Sequence, residues 1–484
     1  MNNKLVVSSL IYKFTERFLV KIVGLVIGII LARLLLPEDF GQVAIITVFI
    51  NLANVFIQNG FSLSLVQKKE VDEIDYSTAL IITFFITFII VFLLWILAPL
   101  ISVFYDVPFL EWPIRIYSLS LFFGAINSVQ VAKNQREMNF RRILYSSFIA
   151  TILSGIIGIA MAFCNFGIWA LVAYGSLSVF FSFLVLLIMD KWIPCKYFSL
   201  SRAKNLFSFG WKMLVSGFLC SIYSDIRSLI IGKKYSNEIL GYYDKGQQYP
   251  LVISQSLDNS IQSVMFSTIS KVQDDKHLMK LYLKKSIQNG AFIITPIMVG
   301  FAMIAEAFVI VVLTDKWLPS VIFIQIVCFA EINMPFVSSC LTSIKSSGRS
   351  DVYMKLEIVR RIVMIVGLII SVVFFDSVVA IAISYLILAY IDILITLIPT
   401  KRITGYGLKD MIKDNWKTMV CSLVMGAVVY FVGYLNINKI LLLVLQILCG
   451  VIVFFISSML LKSECLAYLF KVIKSFIKKK EVNK

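Results

Sequence analysis

Long apolar runs alternate with short polar connections along almost the whole of this 484-residue chain. Each run has about 20 residues or more, the length of helix that crosses the hydrocarbon core of a bilayer. Backbone polar groups in lipid must be satisfied within the segment, and this favours helices. The pattern therefore predicts an all-α membrane protein of about 14 transmembrane helices, with spans at 14–36, 40–66, 77–104, 113–132, 143–163, 166–189, 207–231, 242–269, 286–313, 318–341, 357–375, 377–399, 416–435 and 439–461.

Composition agrees with lipid as the main solvent, since 59% of residues are hydrophobic and only 15% are charged. The net charge of +17 comes from bases in short connections, which is typical of orientation signals and headgroup contacts rather than of a nucleic-acid interface. His277 is the only histidine, and no two of the eight cysteines form a C-x-x-C pair. We therefore expect no metal site, no catalytic residues and no cofactor.

The distribution of lysine and arginine predicts the orientation in the membrane. If the N-terminus is cytoplasmic, most of the 45 basic residues fall in connections on the cytoplasmic side. This indicates that both termini lie in the cytoplasm, with the basic tail at 471–484 against the anionic inner leaflet.

An internal repeat appears when the chain is shifted by about 200 residues, the length of one six-helix unit. Glu38 then aligns with Glu238, Gly41 with Gly241, and Asn59 with Asn259. Parallel repeats of this kind hold a substrate between two halves and expose it alternately to each side. We therefore predict an N-terminal six-helix lobe (1–200), a C-terminal six-helix lobe (201–400), and two extra helices with a basic tail (401–484).

Five short motifs resemble those of the Wzx-like polysaccharide flippases of the colanic-acid-exporter type. This polysaccharide transporter family belongs to the multidrug/oligosaccharidyl-lipid/polysaccharide (MOP) exporter superfamily. The motifs are R-x-x-x-P-E-D-F-G (Arg33 to Gly41), A-K-N-Q-R-E-M-N-F-R-R (Ala132 to Arg142), G-I-W-A-L-V (Gly167 to Val172), D-K-W (Asp315 to Trp317) and S-S-G-R-S-D (Ser346 to Asp351).

The resemblance implies a MATE-like fold of two six-helix repeats plus a C-terminal hairpin. It also implies a cargo, a polyprenyl-diphosphate-linked oligosaccharide moved from the cytoplasmic to the periplasmic leaflet of the bacterial inner membrane. The product would enter O-antigen, capsule or exopolysaccharide synthesis, with glycosyltransferases and a polymerase as partners alongside membrane lipids.

Such a cargo is polar and anionic, so it needs cations and hydrogen-bonding groups inside the membrane. Arg17 and Lys21 lie one helical turn apart in span one, and Arg227 lies in the repeat-equivalent span seven. We expect these three cations to hold the diphosphate. The alternative is that they snorkel to lipid headgroups.

Spans two and eight, which are also repeat-equivalent, carry polar side chains at helical spacing. We expect them to form the walls of a sugar-contacting cavity; the alternative is that they make hydrogen bonds between helices. The residues are Asn51, Asn54, Gln58 and Asn59 in span two, and Gln255, Asp258, Asn259 and Gln262 in span eight.

Five acidic residues lie within or near span interiors, where a carboxylate marks an ion pathway or an ion pair. Any of them is a candidate for H⁺ or Na⁺ coupling, with a structural pair as the alternative. The chain has no Gly-rich nucleotide-binding loop, so ATP cannot drive transport by this chain alone. The five residues are Asp225, Asp258, Glu306, Glu331 and Asp392.

Three other functions compete with this interpretation. A drug/cation antiporter of the same superfamily predicts fewer spans and little need for cavity cations. A membrane-embedded glycan polymerase or ligase predicts a sizeable outer loop, whereas every outer connection here is short, the longest being predicted at 233–245. A lipid II flippase is a close relative that only an assay of the cargo can distinguish.

Overall fold

A computed structural model describes residues 3–466 except 69, 193, 196 and 274. Within helices, it describes the backbone but not the side chains of residues 3–14, 17, 59, 60, 63, 67, 209, 212 and 350. The predicted roles of Arg17 and Asn59 therefore concern side chains outside the described residues, and the basic tail at 471–484 lies outside them entirely.

Over the described residues the chain is helical and contains no β-strand. The chain forms two compact units, 1–244 and 245–484. The helices of the first unit are α1 (Asn3–Leu34), α2 (Pro37–Ile57), α3 (Leu63–Gln67), α4 (Glu73–Phe104), α5 (Glu111–Arg136), α6 (Phe140–Phe163), α7 (Ile168–Asp190), α8 (Leu200–Lys234) and the start of α9 (Asn237–Ile269).

The second unit contains the remainder of α9 and seven further helices within its described residues. These are α10 (Lys276–Phe308), α11 (Val321–Glu331), α12 (Met334–Ser346), α13 (Ser350–Phe374), α14 (Val378–Thr404), α15 (Leu408–Val432) and α16 (Lys439–Leu460).

Every predicted span corresponds to a helix or to two consecutive helices. Span two is α2 and α3 joined by a π-helical turn at Gln58–Ser62, and span ten is α11 and α12, interrupted before Met334 and Pro335. Ten helical segments of the described chain are long and apolar enough to cross a membrane. The chain is thus a multi-pass, all-α membrane protein, while the count of 14 stays a prediction.

The connection between spans seven and eight is shorter than predicted. Helix α8 continues to Lys234 and α9 begins at Asn237, so the expected outer loop at 233–245 is wrong. Ile231 and Leu240 are fully buried on either side of the turn, and this packing extends both helices toward it.

Packing places α8 in the first unit, although the repeat assigns it to the second lobe. It contacts α2, α3 and α4. Near its N-terminus, Leu206 is buried with Phe61 and Trp192 in one apolar cluster. The compact units thus divide the chain between residues 244 and 245, whereas the sequence repeat divides it at residue 200. The lobe boundaries at 200 and 400 remain predictions.

In the second unit, α10 packs against α11, α12, α15 and α16, and α14 packs against α11, α12 and α13. The two C-terminal helices are therefore attached to their unit mainly through α10. Pro296 interrupts the backbone hydrogen bonding of α10 near its middle, yet the helix continues across it.

Candidate functional site

The first unit contains a cavity of about 610 Å³ whose walls come from α1, α2, α3, α5, α6, α7 and the π-helical turn at Gln58–Ser62. Amide and hydroxyl groups form much of its surface, which is unusual in a chain made mostly of apolar helices. The polar lining residues are Glu16, Asn54, Gln58, Asn127, Ser128, Gln135, Ser147, Thr151, Ser178 and Ser182, together with Ser62.

The polar residues of α2 divide between two environments. Asn54 and Gln58 line the cavity. Asn51 instead donates a hydrogen bond to Asp225 Oδ2 of α8, with 3.5 Å between Nδ2 and the oxygen. Gln58 also begins the π-helical turn, a local widening of the helix that often occurs at functional sites. The structure therefore brings two of the predicted wall residues together and directs a third to a helix–helix contact.

Most of the remaining polar lining was missed by sequence reasoning. Asn127 Nδ2 lies 3.4 Å from Ser182 Oγ, and Ser147 Oγ lies 3.5 Å from Glu16 Oε1. Serines in membrane helices commonly bond to their own backbone, so they carry little signal by themselves. The spacing of these residues could have indicated the cavity wall. Ser147 and Thr151 are four residues apart and share a helix face, as do Ser178 and Ser182.

The predicted cations differ in their surroundings. Lys21 is exposed on α1. Arg227 is only 4% exposed, and its guanidinium carbon lies 5.5 Å from the centre of the Tyr223 ring one turn earlier on α8. Asp225 accepts hydrogen bonds from Ser224 at 3.0 Å and from Ser221 at 3.5 Å, in addition to the bond from Asn51.

An ion-pair cluster ties the start of α8 to the start of α4 within the first unit. Arg202 pairs with Asp72 and lies 3.5 Å from Asp75, which also binds Lys68 at 2.7 Å. Asp72 caps α4 by accepting from the backbone N–H of Asp75. The hydrogen bond from Arg202 and this backbone bond lower the pKa of Asp72 to about 2.

The polar residues of α9 in the second unit are largely bonded to neighbouring side chains. Asp258, which is 2% exposed, accepts from Ser338 at 2.7 Å and from Gln262 at 3.0 Å. Gln262 Nε2 also lies 3.0 Å from Ser338 Oγ and 3.1 Å from Ser339 Oγ. Gln255 and Asn259 of the same helix are exposed.

Two other buried carboxylates of this unit have contrasting partners. Glu331 accepts from the hydroxyls of Ser254 and Tyr385, the latter at 2.7 Å. Asp392 receives two hydrogen bonds from Arg360, at 2.5 Å and 2.6 Å, and Arg360 also pairs with Glu357. Both carboxylates are 6% exposed. Asp392 is thus held in an ion pair, whereas Glu331 has neutral hydroxyl donors.

Glu306, the last acidic candidate, has an exposed side chain 3.8 Å from Lys439. Within the described part of the chain, no group of three or more His, Cys, Asp or Glu residues is arranged to hold a metal ion. The assigned roles of these site residues remain predictions.

Three relatives of this chain are named for the biosynthesis of succinoglycan, teichuronic acid and lipopolysaccharide. The chain is 24% identical over 288 residues to the succinoglycan biosynthesis transport protein ExoT of Rhizobium meliloti, covering 60% of this chain and 58% of that protein. It is 22% identical over 305 residues to the teichuronic acid biosynthesis protein TuaB of Bacillus subtilis, covering 62% of each. The chain therefore matches less than two thirds of the length of either protein. A longer match, 22% over 421 residues, is to the lipopolysaccharide biosynthesis protein WzxC of Escherichia coli and covers 85% of this chain and 84% of that one.

Solved structures share the fold at low sequence identity. The lipid II flippase MurJ in an inward closed conformation gives a TM-score of 0.75 at 18% identity, over 94% of this chain and 98% of that one. An inward-facing multidrug resistance MATE transporter of the MOP superfamily gives 0.59 at 16% identity, over 80% and 96%. The predicted MOP exporter fold is confirmed.

The family model described as "Polysaccharide biosynthesis protein" matches residues 30–322, which is more than half of the sequence. The chain therefore belongs to the polysaccharide biosynthesis protein family.

Proposed function

We propose that this protein is a flippase that moves a polyprenyl-diphosphate-linked oligosaccharide from the cytoplasmic to the periplasmic leaflet of the bacterial inner membrane by alternating access. The cargo supplies the assembly of O antigen, capsule or exopolysaccharide. Its partners are then the glycosyltransferases that build the unit and the polymerase that consumes it.

The polar cavity of the first unit is the observation that carries this proposal. Moving a glycan into hydrocarbon is prohibitive unless its hydroxyls find hydrogen-bonding partners. The cavity offers amides and hydroxyls from α2, α5, α6, α7 and the π-helical turn, among them Asn54, Gln58 and Asn127. Apart from the carboxylate of Glu16, the polar lining consists of neutral groups of both donor and acceptor character, which suit sugars better than they suit a lipophilic drug cation.

The diphosphate requires positive charge as well. Arg227 is buried on a membrane-crossing helix, and Lys21 and Arg17 lie on α1. We assign these three residues to the diphosphate. Neutralising Arg227 with Arg227→Gln should reduce transport strongly, whereas Arg227→Lys should retain part of it because the charge is kept.

The direct test measures the cargo. In a host lacking this gene, surface polysaccharide should disappear and the lipid-linked unit should accumulate in the cytoplasmic leaflet, where an added impermeant glycosidase cannot reach it from outside. Plasmid-borne wild-type protein should reverse both effects. Surface polysaccharide at wild-type levels without the protein would contradict the proposal.

The orientation is part of the same proposal, with both termini in the cytoplasm. The turn between α5 and α6 then faces the cytoplasm, whereas the turn between α6 and α7 faces outward. A cysteine introduced by Asn139→Cys should resist an impermeant maleimide added to whole cells, and native Cys164 should react. The opposite labelling pattern would overturn the orientation.

Asp258 and Glu331 are our candidates for ion coupling. A carboxylate buried among neutral donors is costly unless a proton or a cation neutralises it. Asp392 already has Arg360 for that purpose. Asp258→Asn and Glu331→Gln should therefore abolish the dependence of transport on a H⁺ or Na⁺ gradient while leaving the protein folded; an unchanged gradient dependence in both variants would exclude this assignment.

A drug/cation antiporter is the second candidate, favoured by the structural similarity to the MATE transporter. It predicts that the protein protects cells from lipophilic cations. Protection without any change in surface polysaccharide would select this alternative.

A further inference from the structure

Helices α2 and α9 begin with their first turns in direct backbone contact. A Cβ atom added to Gly41 would lie 1.7 Å from the carbonyl oxygen of Asn237, and one added to Gly241 would lie 2.0 Å from the carbonyl oxygen of Pro37. Real Cβ atoms never come this close to an oxygen, so each position requires glycine while the contact exists.

The contact is reciprocal. Each glycine faces the carbonyl of the residue one helical turn before the other glycine, since Pro37 precedes Gly41 by four positions as Asn237 precedes Gly241. The same residues are those aligned by the sequence repeat. The two Glu-x-x-Gly motifs are thus one self-complementary surface, which we call the glycine crossing (Pro37–Gly41 with Asn237–Gly241).

Small residues around the crossing keep the helices close. A Cβ on Gly232 of α8 would lie 3.1 Å from Leu240 and 3.2 Å from Ile45, two apolar side chains that are fully buried beside the crossing. Glycines at such positions let membrane helices approach to backbone distance. Dispersion contacts of this type weaken steeply as the two helices move apart. A small separation of the helices is therefore enough to break the crossing.

We propose that the glycine crossing closes the outer end of the transport path and must separate each time cargo is released. This inference rests on the proposed flippase function and orientation. The polar face of α2 begins about three turns beyond Gly41, at Asn51, and cargo leaving it for the outer leaflet passes the first turn of α2. At the glycines themselves the contact is one of backbone against backbone, and this suits repeated opening.

Glycine-to-alanine substitutions test the proposal directly. Alanine is more favourable than glycine in a helix interior. Any effect of these substitutions must therefore come from the helix–helix contact and not from a weaker helix. Gly41→Ala and Gly241→Ala should hold the crossing apart. Gly24→Ala on α1 is the matched control, because a Cβ there meets its nearest atom, Tyr174 Oη, at an ordinary 3.6 Å.

The readout is the accessibility of native Cys220, an exposed cysteine of α8, to an impermeant maleimide added outside the cell. Labelling of this cysteine, identified by peptide mass spectrometry, should rise several-fold in both crossing variants and stay at the wild-type level in Gly24→Ala. Unchanged labelling in folded Gly41→Ala and Gly241→Ala proteins would overturn the proposal. The measurement needs no cargo, so its failure is distinguishable from failure of the flippase function.

A second experiment keeps the glycines and closes the crossing instead, in case the alanine variants do not fold. Glu38→Cys with Glu238→Cys places one thiol on each motif, and a short, reducible bis-maleimide linker can join them. The joined protein should lose transport and outer labelling of Cys220, and reduction of the linker should restore both. Each single cysteine variant, treated identically, is the control; unaltered transport in the joined protein would overturn the proposal.

Discussion

The repeat-equivalent helices α2 and α9 carry similar runs of polar residues, yet their surroundings differ. Asn54 of α2 and Gln58, in the π-helical turn that follows α2, face an open cavity. On α9, Asp258 and Gln262 are bonded to the serines of α12. The same pattern of polar positions thus serves a cavity in the first unit and a side-chain network in the second, so spacing alone cannot distinguish a binding wall from interhelical bonding.

Buried charge sharpens this contrast. Asp392 is compensated by Arg360, whereas Glu331, equally buried, is bonded to hydroxyls. Removing one partner of a buried ion pair strongly destabilises a protein, because the other charge is left buried without compensation. The second unit therefore contains one buried carboxylate with a cationic partner and one with neutral hydroxyl donors.

Arg360→Ala should have the largest effect on stability. It leaves the buried Asp392 without its cation, and we expect a loss of about 3–5 kcal/mol, as for other broken buried pairs. Melting of the purified protein in detergent, followed by tryptophan fluorescence, would measure it.

Arg361→Ala is the matched control for that prediction. Arg361 is partly exposed and lies 3.5 Å from Glu357, so its removal should cost less than about 1 kcal/mol. Equal losses for the two arginines would show that burial does not govern this cluster.

Replacing one glutamine in each of the two repeat-equivalent spans should distinguish their roles. Gln262→Leu removes bonds to Asp258 and two serines and should destabilise the protein by about 1–2 kcal/mol. Gln58→Leu should change stability by less than about 0.5 kcal/mol but reduce transport at least about tenfold, equivalent to about 1.4 kcal/mol.

Both variants should be tested for the melting temperature of the purified protein and for the rate of cargo translocation in proteoliposomes. A Gln58→Leu protein that melts early and transports normally would make α2 a packing helix like α9 and remove the reason for placing sugar in the cavity.

Much of the fold was predictable because apolar runs of span length specify membrane helices almost by themselves. The polar spans seven and eight still form long helices, since Asp225 and Asp258 find donors on neighbouring helices. The break between α11 and α12 was not predicted, although Pro335 marks it, because prolines are also tolerated inside membrane helices such as α10.

The candidate site was predictable only in part. Amides in a lipid-spanning run are conspicuous, and Asn54 and Gln58 were found this way. Ser147 and Ser178 were not, because a serine in a helix can satisfy its hydroxyl on its own backbone, as Ser176 does with Val172. The contact between Gly41 and Gly241 was equally hidden, since the repeat aligned the two glycines without indicating that they touch.

The smallest predicted effect concerns an exposed counterpart of the Arg360–Asp392 pair, namely Arg202 with Asp72 at the start of α4 and α8. The pKa of Asp72 is lowered to about 2, so the pair stabilises the folded protein above the ordinary pKa of aspartate and loses this contribution as the pH falls through about 2. Because both side chains are partly exposed, the contribution of the pair at neutral pH should be small. Arg202→Gln should therefore lower the melting temperature slightly at pH 7, and the difference from wild type should shrink steadily between about pH 5 and pH 2.

A difference that grows on acidification would mean that Arg202 stabilises the protein through contacts other than Asp72, and the contrast between exposed and buried pairs would then rest on Arg360 alone.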